Sequence, residues 1–157
     1  MSVNSLPLLV CVGAGLVGGV FFAFSAFVMK ALAELPAAQG IQAMQSINVT
    51  VLNPLFLGAF VGTAVLAGIC IVAGFFPWGS PRSLLLLAAG LTYLLGSFGV
   101  TAVFNVPRNE RLAKLPPESA EAAAYWPTYV REWLFWNHLR TMASLVSAVC
   151  AAGALAY

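Results

Sequence analysis

Trp133, Asn137, Arg140, Thr141 and Ser144 recur at i, i+4, i+7, i+8 and i+11, so one helix face carries an indole, an amide, a guanidinium and two hydroxyls. His138, the chain's single histidine, sits beside Asn137. The stretch around them, "EWLFWNHLRT" at residues 132–141, opens a segment apolar enough to enter a bilayer. Strong hydrogen-bonding groups are costly in hydrocarbon unless they face a bundle interior or a wet cavity. Gathered there, amide and guanidinium donors can stabilise an electron-rich oxygen, and an imidazole can move protons near neutral pH.

The elements that must position these groups follow from composition. Of 157 residues, 61% are hydrophobic and 8% charged, with no aspartate, against roughly one-quarter charged residues in a soluble domain. The chain therefore reads as an integral membrane protein. A spanning helix needs about 20 apolar residues. Four segments meet that need, near 6–29, 54–76, 83–104 and 132–157. The expected fold is all-α, a four-helix transmembrane bundle in a single domain over 1–157, with a short interfacial helix in each connection on one side. The first span lacks a basic leader and is too long for a secretory signal, so it is expected to stay as an anchor.

Loop charge sets the orientation. Segments 30–53 and 105–131 share a side and carry Lys30, Arg108, Arg111, Lys114 and Arg131, whereas the opposite connection has Arg82. Positive-inside reasoning puts the charged side in the cytoplasm and both termini outside, with a bacterial inner membrane as the expected location. A net charge of +2 is too small to point to nucleic acid. In the first cytoplasmic connection, Ile41, Met44, Ile47 and Val51 form a stripe with Gln39, Gln42 and Gln45 off it, which suits a helix lying in the interface. Gly15 with Gly19, and Gly58 with Gly62, are GxxxG pairs that would allow close helix contact. "LAELP" at 32–36 recurs as "LAKLP" at 112–116, which reads either as a duplicated hairpin or as shared helix-end chemistry.

Alternating topology brings Ser25, Asn48, Asn53, Asn105, Asn109, Asn137, His138, Arg140 and Thr141 to the same end, which implies a shared pocket. Each also has a structural reading. Asn53 before Pro54 is an expected N-cap, Asn105 a helix-end cap, Arg140 a snorkelling cation, His138 a packing residue, and Trp126, Trp133 and Trp136 an interfacial belt. One histidine and scattered glutamates do not make a zinc or di-iron site, and Cys11, Cys70 and Cys150 are expected to pack as small hydrophobes.

The stretches "GGVFFAFSAFVMKAL", "NVTVLNP", "FNVPRNERLA" and "WLFWNHLRT", in this order, resemble the anthrone oxygenase family, also termed DUF1772, over essentially the whole chain. The resemblance implies a small four-span protein. For some members it implies oxidation of an anthrone to an anthraquinone with O₂ and no evident cofactor. Fitted to this chain, His138 is the expected base, and Arg140 and Asn137 are expected to hold the enolate oxygen. Trp133, Trp136 and Tyr125 would stack on flat rings, and Asn53, Asn105 and Ser25 would complete the polar wall. The expected partners are a small lipophilic aromatic and O₂, the lipid bilayer, no nucleic acid, and a second copy of the chain if it forms a homo-oligomer. Two other readings stay open: a non-catalytic binding or transport protein for a lipophilic molecule, and a haem protein with His138 as ligand.

Overall fold

Four helices long and apolar enough to cross a bilayer organise the computed structural model, which describes residues 4–157. They are α1 (Ser5–Glu34), α3 (Pro54–Ala73), α4 (Pro81–Ala113) and α5 (Ala120–Gly153), and α2 (Ala37–Thr50) lies in the first connection. α1 packs on α3 and α5, α4 packs on α3 and α5, and the ring is thereby closed. Arg82 at the start of α4 donates to Asn4 Oδ1 (3.2 Å) and to the Ala154 carbonyl (2.6 Å), so both ends of the chain meet the α3–α4 turn. The chain is a multi-pass, all-helical membrane protein.

Only α3, with 20 residues or about 30 Å, matches the hydrocarbon thickness. α1 has 30 residues, α4 has 33 and α5 has 34, about 45 to 51 Å each, and all three overrun at the end opposite the termini. There they build a second core beyond the bundle: Met29 and Leu32 from α1, Leu112 from α4, and Trp126 and Tyr129 from α5 close over Ile41 and Met44 of α2. α2 thus fills the space above the short α3.

Several boundaries differ from expectation for physical reasons. α5 begins at Ala120, twelve positions before the expected 132, because the Ser119 hydroxyl caps the Ala122 amide (3.1 Å) ahead of an Ala/Glu-rich first turn. α4 does not stop at Phe104 with Asn105 as a cap. It runs on through Pro107, because the preceding turn, Thr101–Asn105, is widened to π geometry and leaves room for a ring that lacks an N–H. The helical segment of the second connection, Val106–Ala113, therefore continues the third span. In α2 the apolar stripe faces protein: Ile41 and Met44 are fully buried, while Val49, off the stripe, is exposed. The two LxxLP echoes are helix ends of one kind, with Leu32 and Leu112 in the same core and Leu35 and Leu115 each bonding back three residues. The GxxxG pairs face away from the chain, since nothing lies within 4 Å of a Cβ built at Gly15, Gly19, Gly58 or Gly62. Close approach falls instead at Gly18 against Ser144, Gly90 against the Ala67 carbonyl and Gly96 against Ala143. The three cysteines are free, and they pack in or against the core at the termini end.

Candidate functional site

All five side chains expected on one face of α5 are buried, Arg140 at 6% exposure. Two of them turn back on their own helix: Thr141 Oγ1 donates to the Asn137 carbonyl (2.7 Å) and Ser144 Oγ to the Arg140 carbonyl (2.8 Å). Each hydroxyl also meets a second helix, Ser144 Oγ at Ser97 Oγ of α4 (2.8 Å) and Thr141 Oγ1 at Ser25 Oγ of α1 (3.3 Å).

Asn137 is committed at both ends of its amide. Nδ2 donates to the Phe21 carbonyl (2.8 Å) and Ser25 Oγ (2.7 Å), and Oδ1 accepts from Arg140 Nε (2.9 Å). Phe21 and Ser25 flank the entry to the widened turn Phe24–Val28 of α1, where ordinary i to i−4 pairing is interrupted and a carbonyl can look sideways. Asn137 therefore positions Arg140. The guanidinium lies 3.9 Å from the Phe21 ring centroid and 4.8 Å from that of Trp133, and Nη1 donates to Thr101 Oγ1 (3.2 Å). Thr101 spends its own proton on the Ser97 carbonyl (2.8 Å), which leaves its oxygen free to accept. Two of the five guanidinium N–H groups are thus used. Among the described residues the ion pair formed is Arg108 with Glu132 (3.0 Å), so the buried Arg140 has no carboxylate at salt-bridge distance.

Arg140 lies on the wall of a cavity of about 510 Å³. The cavity occupies the gap where α3 falls short: α2 covers it, the first turns of α3 form one side, and α1, α4 and α5 form the rest. Its wall is mostly apolar and aromatic, with Phe21, Phe24, Phe56, Phe60, Phe98 and Trp133. Phe60 holds this group together, stacked on Phe56 (5.8 Å) and Phe98 (5.2 Å) and edge-on to Phe21 (6.1 Å). At the α2 end the wall turns polar, with Gln45, Asn48, Asn109 and Glu110. Asn109 Oδ1 accepts from both Tyr129 Oη and Trp133 Nε1 at 2.9 Å, so the indole joins that end to the guanidinium. Arg140 and Glu110 are the titratable groups on the wall. Val49, Leu52, Val61 and Val106 line the cavity and are also exposed, which opens it sideways between α2, α3 and α4.

The residues named from sequence divide. Trp133 and Arg140 line the cavity, and Asn137 stands directly behind Arg140. His138 is exposed and off the wall, its Nδ1 2.9 Å from Ser25 Oγ, and it is tied to Arg140 only through Ser25 and Asn137. Trp136 stacks on Phe104 with centroids 3.6 Å apart, and Tyr125 carries the Arg111 guanidinium 4.1 Å from its centroid; neither reaches the wall. Asn53 caps α3 by accepting from the Phe56 amide (3.0 Å) and is exposed. Asn105 is fully buried and donates to the Trp133 carbonyl (3.2 Å), one layer behind the cavity. Nothing in the sequence marks the five phenylalanines, Thr101 or Glu110 as wall residues. A phenylalanine in an apolar span has the same sequence signature whether it faces lipid, core or ligand.

No curated protein and no solved structure matches the chain. A family model described as anthrone oxygenase matches residues 50–150, a span that takes in α3, α4 and most of α5 and so supplies Phe60, Thr101, Trp133 and Arg140. This chain belongs to the anthrone oxygenase family.

Proposed function

We propose that the chain is a membrane-embedded, oxygenase-like enzyme that takes a flat lipophilic aromatic of the anthrone type from the bilayer and oxidises it with O₂ without a cofactor. The observation that carries this reading is Arg140: a buried guanidinium with no carboxylate partner, held between two rings on the wall of an apolar cavity. A cation kept in so dry a place at high cost is explained by an anionic oxygen that it meets there.

An anthrone has its carbonyl and its acidic methylene on opposite edges of the central ring. With the carbonyl oxygen on the free guanidinium donors, the developing enolate is stabilised where its charge appears. The methylene then points toward the α2 end of the cavity, where the wall carries Glu110. We assign the first proton to that carboxylate; His138 holds Ser25 against Asn137 and so keeps Arg140 in place. The enolate passes one electron to O₂, and the radical pair joins as a carbon–oxygen bond. The resulting peroxide loses its O–O bond together with the second methylene hydrogen, so that a CH₂ group and O₂ become a carbonyl and water. Trp133 and the phenylalanines hold the rings and exclude water from the enolate.

Oxygen uptake by the purified protein with an anthrone, compared with Arg140→Gln, tests the reading. Wild-type turnover that falls about 10²–10³-fold in the variant is the expected result; equal rates in the two would discard it. Orientation follows the loop charges, with the α2 end cytoplasmic and both termini outside a bacterial inner membrane. Maleimide labelling of cysteines placed at Glu118 and Trp78 in a cysteine-free background would reverse that assignment if Trp78→Cys proved to be the cytoplasmic one.

A further inference from the structure

We infer that the ligand carries a hydrocarbon tail: its flat head fills the aromatic part of the cavity against Arg140, and an alkyl chain borne on an outer ring leaves through the mouth between α3 and α4 into the bilayer. This inference rests on the reading of the cavity as an anthrone-type site and narrows its substrate class to alkylated polycycles.

The cavity wall is divided by side-chain type. The rings form one connected group: Phe24 lies 5.5 Å from Trp133, Phe60 meets both Phe21 and Phe98, and the Arg140 guanidinium is held between Phe21 and Trp133. The mouth is aliphatic, lined by Leu52, Leu57 and Val61 along the start of α3 and by Ala102 and Val106 of α4, and all of these but Leu57 are exposed. Flat rings gain from stacked and edge-on contacts that branched aliphatic side chains do not offer, whereas a flexible chain packs as well against valine and leucine as against lipid. Val61 comes seven residues after Pro54, about 10 Å into the span. A chain passing Val61 and Ala102 therefore leaves the protein at a depth where the bilayer is hydrocarbon.

Size and attachment agree with this. The cavity, about 510 Å³, has room for a drug-sized ligand. A bare tricycle held among the rings leaves the aliphatic part unfilled, and a tail joined to the ring fills it without the separate ordering of a lipid chain. Thr101, which meets Arg140, and Glu110 are both on α4, so the axis from the carbonyl to the reacting methylene runs along that helix. The mouth opens across it. A substituent on the outer edge of a terminal ring therefore points out through the mouth, and one beside a carbonyl is driven into the wall at Arg140 or at the polar α2 end.

Bare anthraquinone and two isomers that carry an octyl chain, one at the outer edge of a terminal ring and one beside a carbonyl, provide the test. The isomers have the same hydrocarbon content and partition alike into detergent, so the difference between them reports the site. With binding read as quenching of tryptophan fluorescence, the outer-edge isomer is expected to bind the wild type about tenfold or more tighter than the other, the usual cost of forcing extra methylenes into a packed wall. Ala102→Phe and Ala102→Leu, which fill the mouth, should each reduce that ratio about fivefold or more. Equal binding of the two isomers to the wild type, or the reverse order, overturns the inference with no substitution and so no question of folding, as does a ratio unchanged in both variants. Binding of bare anthraquinone alone also overturns it, gives the mouth to lipid and leaves the functional reading standing. Failure of all three compounds to bind overturns the functional reading itself.

Discussion

At the scale of single residues, position relative to the cavity separates chemistry from support. Arg140 stands on the wall without a counter-charge, so in the proposed reaction its burial is a cost borne for function. Arg140→Met should accordingly abolish turnover without lowering the melting temperature in detergent; a drop of several degrees would mean that the guanidinium is there to hold α1, α4 and α5 together. Glu110 and His138 divide in the same way. Glu110→Gln is expected to lower kcat about 10²-fold or more, the usual contribution of a general base, whereas His138→Ala should stay within roughly threefold. The opposite ranking in steady-state oxygen uptake would return the base to the imidazole.

At the scale of elements, the short α3 and the helix above it create the cavity. α2 is seated by Gln45, whose Nε2 donates to the carbonyls of Leu112 (2.8 Å) and Leu115 (2.9 Å) at the end of α4. Gly40 allows the close approach to α1: a Cβ there would meet the Leu32 carbonyl at 2.6 Å and the Trp126 ring at 3.0 Å. Gly40→Ala must therefore lift α2 and should cost about 1–3 kcal/mol, read as a lower melting temperature with weakened ligand binding. Asn53→Ala removes the N-cap of α3 and is expected to cost about 1 kcal/mol while leaving KM unchanged. A large rise in KM would move Asn53 from cap to substrate contact.

At the scale of the whole molecule, the proposed function makes the lateral opening the route by which a ligand arrives. Val61 is 44% exposed within a membrane-spanning helix and also lines the cavity, so a molecule dissolved in the bilayer meets the opening directly. Val61→Trp narrows the mouth without touching Arg140, and the expected signature is a raised KM with kcat nearly unchanged. A fall in kcat at constant KM would place the residue against the reacting rings instead.

The four spans, the all-helical class and the buried face of α5 were all legible in the sequence, because hydropathy and a 3.6-residue period are local signals that a bilayer enforces strongly. So was the gathering of Ser25, Asn137 and Arg140, since alternating topology puts their helix ends together. Tertiary structure decided which of those polar groups face an empty space. That choice depends on the overrun of three helices beyond a 20-residue α3, on widened turns at Phe24–Val28 and Thr101–Asn105, and on the fold of α2 onto Leu112 and Trp126. Helix register and the direction of each side chain are set by contacts between residues more than a hundred positions apart, such as Asn137 with Phe21, and no local pattern encodes them.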